Sequence, residues 1–110
     1  MHDAAVGDPY LDLYRARFLL RLDRNSEAKA AAERLVVAEP QDKAGYLVSA
    51  RVSAKMRDYA AVAERIKMAI EKSLVGLQPA VLDLETDGTA FVFTKEFAEL
   101  KKWYYSRSKK

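Results

Sequence analysis

Arg17 and Arg51 end the same five-residue pattern, L-x-x-A-R, once as LYRAR over residues 13–17 and once as LVSAR over residues 47–51. Arg21 and Lys55 follow one helical turn later, so the four cations would form two matched pairs on helix faces. Arginine presents a planar fork of N–H donors that fits a carboxylate, and a ladder of such groups is chemistry for holding an acidic chain. Little in the chain could break a bond. His2 is the sole histidine, in a leader read as disordered, and cysteine is absent. Ser-His-Asp relays, His-rich metal sites and thiol nucleophiles therefore have no core residue to use. No glycine-rich phosphate loop occurs. The run Asp83-Leu84-Glu85-Thr86-Asp87-Gly88 starts like a calcium loop, but Thr94 and Lys95 stand where a closing bidentate Glu is required. Its acids read instead as solvated charge, with Asp87 capping a helix. The expectation is a protein that is not an enzyme and has no metal or cofactor.

The elements that would position the cations are helices. At 110 residues the chain has room for one domain, and 50% hydrophobic with 32% charged residues is the balance of a folded globular protein. Eighteen alanines against four glycines and three prolines favour closely packed helices and almost no strand. No apolar run approaches the roughly 20 residues of a membrane helix, and the start, MHDAAVGDPY, lacks a signal-peptide layout. A chain complete as given would be cytoplasmic; as a segment of a longer one, its compartment is undecided. Asp8-Pro9 predicts a first helix to about Leu22, and Asn25 or Ser26 would cap a second that Pro40 stops. Asp42 should cap a third, to about Met56, and Asp58 a fourth, whose Val62, Ile66, Ala69 and Ile70 recur at helical spacing to Lys72. Val81, Leu82 and Leu84 suggest a short fifth helix after Pro79. Thr94 would cap a last one, sealed onto the core by Phe97, Leu100, Trp103 and Tyr104.

Thirty-four residues separate the two L-x-x-A-R patterns, and the same shift aligns Leu13 with Leu47, Ala16 with Ala50, Ala28 with Val62, Ala32 with Ile66 and Leu35 with Ala69. A period of this length is that of a stacked helix-turn-helix unit, each leaving an apolar face for the next to cover. The pattern resembles the tetratricopeptide repeat (TPR). What carries the likeness is Ala16, Ala50 and Ala28 at small positions, Tyr46 at the large aromatic position, Tyr59 at the turn and Pro40 at the terminal turn. Departures are Asp12 for a bulky aromatic, Arg15 for an apolar residue and Leu74 for a second terminal proline. The resemblance implies an all-α fold of about 5 to 7 helices, antiparallel pairs stacked as a short right-handed solenoid. Residues 9–40 would be one repeat, 42–74 a second and 75–110 a closing segment, together one domain 1–110.

In that family the first helices of the pairs line a concave groove. The likeness thus implies a peptide-binding scaffold whose groove residues are Leu13, Arg17, Arg21, Leu47, Arg51 and Lys55. The Lys and Asn clamp with which some members hold a peptide's C-terminal carboxylate is missing, since Leu13, Arg17 and Val48 occupy its positions. The expected partner is another protein, bound through an acidic or amphipathic segment. The alternative lies in KKWYYSRSKK, where five basic residues interleave with Trp103, Tyr104 and Tyr105 and could meet nucleic acid or an anionic surface. No RNA-binding signature accompanies that tail, which disfavours nucleic acid. Apolar edges at both ends of the stack would allow weak homodimerisation.

Overall fold

Nine of the thirteen residues of the helix Lys43–Lys55 are buried, which makes it the axis on which the other elements are laid. The computed structural model describes residues 10–107. Among them the chain is all-helical, with α1 (Tyr10–Arg21), α2 (Asn25–Ala38), α3 (Lys43–Lys55), α4 (Tyr59–Glu71), α5 (Leu77–Leu82), α6 (Asp87–Phe91) and α7 (Lys95–Arg107). No strand occurs among these residues, and no helix is long and apolar enough to cross a membrane. His2 and the Asp8-Pro9 helix start lie outside the described residues.

Each helix packs on its neighbour in the chain from α1 through α4, while α6 lies on α3 and α7 on α4. Leu13, Ala16, Ala31, Ala32, Leu35 and Val48 form the core shared by α1, α2 and α3. A larger core gathers Leu47, Ala50, Ala54, Val62, Ile66 and Ile70 with Leu77, Ala80, Leu84, Phe91 and Leu100 of the C-terminal segment. Tyr46, almost fully buried, donates its hydroxyl to the Pro40 carbonyl at 2.8 Å and so ties α3 to the turn before it. The aligned alanines and their partners are all inside.

The thirty-four-residue period extends to the backbone of the turns. Between α1 and α2, Asp23 N–H donates to Leu20 O at 3.1 Å and Arg24 N–H to Leu19 O at 2.9 Å. Between α3 and α4, Arg57 N–H donates to Ala54 O at 3.0 Å and Asp58 N–H to Ser53 O at 2.9 Å. Both are Schellman endings, and the residue each puts in the left-handed region is not glycine: Asp23 has φ 60° and Arg57 φ 62°. The same register explains a misplaced cap. Asp58 caps α4 by accepting from Ala61 N–H at 3.3 Å, and its counterpart in the first hairpin is Arg24, which has no capping oxygen. Arg24 instead forks onto Glu27 at 2.6 and 2.7 Å, and Asn25 and Ser26, expected as caps, are already helical.

Other helix ends follow the local chemistry. Asp42 accepts from Ala44 N–H at 2.9 Å, and Thr94 accepts from Phe97 N–H at 3.1 Å while donating to Phe91 O at 2.7 Å. Two expectations need correction. The fifth helix starts at Leu77, before Pro79, which its first turn tolerates. Asp87 is the first residue of α6 and caps nothing, because the turn at Leu84 and Glu85 brings the chain directly into the helix.

Gly45 sets how closely α2 and α3 approach. A Cβ there would lie 2.9 Å from Val36 N and 3.1 Å from Val36 Cα, backbone atoms that cannot move aside. Alanine is the better helix former by about 1 kcal/mol, whereas overpacking costs about 1–3 kcal/mol. Gly45→Ala is therefore expected to destabilise the fold by up to about 2 kcal/mol, read as a lower denaturation midpoint in urea.

Asp42 gives a pH dependence. The Tyr10 hydroxyl and then the Ala44 amide hold its carboxyl below the ordinary 3.8, against a smaller opposing effect of burial. Its folded form thus gives up the proton more readily than the unfolded chain, so its stabilisation is complete above the unfolded value and fades as pH falls through the lower folded one. Asp42→Asn, which keeps a capping oxygen, should melt at a lower temperature at neutral pH, with the gap to wild type closing below about pH 4. Thermal melts across that range measure it.

Candidate functional site

The side of α3 that is not covered by α2 or α4 faces α1 across a groove, and α6 with the turn before it forms the far end. One cleft of 260 Å³ is lined by Arg17, Leu20 and Arg21 of α1, Arg51 and Lys55 of α3, and Glu85 and Asp87. A second of 300 Å³ continues toward the start of α3, past Asp42, Lys43 and Leu47, and shares Arg17, Arg51 and Glu85 with the first. The four cations of the sequence ladder therefore converge, because Arg17 and Arg21 lie one turn apart on α1, and Arg51 and Lys55 one turn apart on the adjacent α3.

The apolar members of the expected set divide. Leu47 lines the second cleft although it is nearly buried. Leu13 does not reach the groove; it packs among Ala16, Ala31, Ala32, Leu35 and Val48. Successive i, i+4 positions advance about 40° around a helix. The row Leu13, Arg17, Arg21 therefore spirals from the core at its first member to solvent at its last. Leu20, three residues after Arg17, supplies the apolar floor instead.

Asp83, Glu85 and Asp87 are groove residues that sequence reasoning missed. In sequence their alternation starts like a calcium loop; in the fold it supplies an acidic wall opposite the cations. Arg51 bonds Glu85 at 3.0 Å, and Lys55 bonds Asp23 at 2.8 Å while donating to the Leu20 carbonyl at 2.8 Å. Arg51 Nε, sequestered from solvent, has no acceptor. Arg17 and Arg21 are exposed and make no ion pair among the described residues. Charge complementarity across sequence, two cations per hairpin against three acids spaced two apart, was the signal available for this wall. No group of three or more His, Cys, Asp or Glu among the described residues is arranged to hold a metal ion.

The basic aromatic tail is built into the fold as far as it is described. Trp103 packs against the core with the Lys67 ammonium 4.9 Å and the Arg107 guanidinium 5.0 Å from its ring centre. Phe97 meets Phe91 edge-on at 5.4 Å, and Tyr104 is half-buried beside them; Tyr105 is the exposed aromatic of α7. Residues 108–110 lie outside the described chain. Compared with protein-family models, with curated proteins and with solved structures, the chain gives no match.

Proposed function

We propose that this chain is a non-enzymatic protein-interaction module of the tetratricopeptide kind, a short solenoid of helical hairpins whose groove along α3 holds an acidic or amphipathic segment of another protein. The observation that carries this reading is the meeting of Arg17, Arg21, Arg51 and Lys55 in one groove, with Arg17 and Arg21 making no ion pair among the described residues. An extended segment laid beside α3 would present alternate side chains to the two cation pairs, and Leu20 and Leu47 offer apolar contact between them. The pairs that Arg51 and Lys55 already make are no barrier. The carboxylate of each pair is 62% or 78% exposed, and a pair open to solvent on that side is worth about 0–1 kcal/mol, so a ligand carboxylate exchanges for Glu85 or Asp23 at small cost. Nucleic-acid binding through the tail is not favoured, since the Trp103 ring packs partly buried against the core and already carries Lys67 and Arg107 over it.

The test is titration of a labelled glutamate-rich peptide, followed by anisotropy at low salt. Arg17→Glu with Arg51→Glu should weaken binding at least about tenfold with helicity unchanged, and equal affinity would remove the groove reading. Glu85→Gln, which releases Arg51, should tighten the same complex by about two- to fivefold.

A further inference from the structure

α1 is apolar on two opposite faces. Leu13, Ala16 and Leu20 point into the core, while Tyr14 and Phe18, with Leu22 just past the helix end, spaced i, i+4 and i+8, run along the outer side with 62%, 62% and 48% of their surface exposed. At about 100° per residue the two rows lie close to diametrically opposed. The row away from the core has nothing within the described residues to cover it. Single exposed apolar residues such as Val37 are ordinary, but a continuous row over two turns marks a contact surface.

The charges beside this row select what covers it. Arg17 and Arg21 border it on the groove side, with no ion pair among the described residues, and Arg15 borders it on the other, 3.5 Å from Asp12. A second copy is the wrong occupant. Antiparallel two-fold pairing of α1 with itself sets Arg17 and Arg21 against their own copies, and parallel pairing sets them against Arg15, so cations meet cations either way. We propose that the outer face of α1 is a second docking surface, which takes an amphipathic helix of a partner protein carrying acidic residues beside its apolar stripe. The apolar stripe covers Tyr14, Phe18 and Leu22, and the carboxylates on its groove-side flank pair with Arg17 and Arg21. This surface does not depend on the groove reading, with which it shares only those two arginines.

The probe is a synthetic amphipathic helical peptide with leucines along one face and glutamates on its flanks, paired with a twin in which lysines replace the glutamates. The full chain should bind the glutamate peptide, and the lysine twin at least about tenfold more weakly. Phe18→Ser should weaken the glutamate peptide about tenfold or more. Arg51→Gln with Lys55→Gln should leave it unchanged while weakening the extended acidic peptide of the groove test, so the two readings fail separately. Should Phe18→Ser lower the melting temperature, Arg17→Glu with Arg21→Glu decides, by reversing the preference toward the lysine twin. Equal binding of both peptides, or wild-type affinity in Phe18→Ser, overturns the proposal. So does a wild-type dimer in sedimentation equilibrium that Phe18→Ser dissociates, which would assign the face to a second copy.

Discussion

The approach of α3 to α2 at Gly45, backbone against backbone, is the constraint on which the rest depends. It draws α3 so far into the molecule that even Ser49 is fully buried, and a buried hydroxyl needs a partner. Glu33 of α2 supplies it, accepting from Ser49 at 2.6 Å, and its second oxygen takes the Arg65 guanidinium of α4. One carboxylate thus joins three helices, and both hairpins are fixed to a common axis by a polar link as well as by apolar burial. An ion pair this sheltered stabilises less by its attraction than by penalising arrangements that would leave either charge alone.

Because α3 is central, whatever lies on either side of its open face is brought together. α1 comes from the first hairpin and the α5–α6 turn from the closing segment, so the groove is assembled from parts far apart in the chain. Its electrostatics are mixed. Cations stand on α1 and α3 and carboxylates on the turns and the first residue of α6, and internal pairing quiets Arg51 and Lys55 while leaving Arg17 and Arg21 to face solvent. The sequence-wide charge of +3 gives no hint of this division.

What could be read from sequence was what neighbours in sequence decide. Asp42, Asp58 and Thr94 cap the helices they precede, Pro40 follows the end of α2, and the aligned small and apolar positions are buried, because capping and helical period are local. The cation ladder was legible for the same reason, its members being a turn apart. Errors arose where a distant element decides. Nothing near Gly45 says that Val36 will press on it, and the inward turn of Leu13 depends on where α2 lies. Glu85 and Asp87 acquire their role only once α6 packs on α3. The missing cap at Arg24 was in principle readable from the period, since its counterpart is Asp58.

Two of the residues held in the left-handed region, Asp23 at φ 60° and Glu85 at φ 57°, are the very ones that neutralise Lys55 and Arg51. Glycine is the residue such positions favour, by about 1 kcal/mol over most side chains. The genetic code places glycine a single base change from aspartate and from glutamate. A lone point mutation at either site therefore relaxes the backbone and uncovers a cation in the same step, so the groove can gain positive charge without the loss of stability that usually accompanies a new function. A change in the groove's charge is in this sense a path that runs nearly level in folding energy.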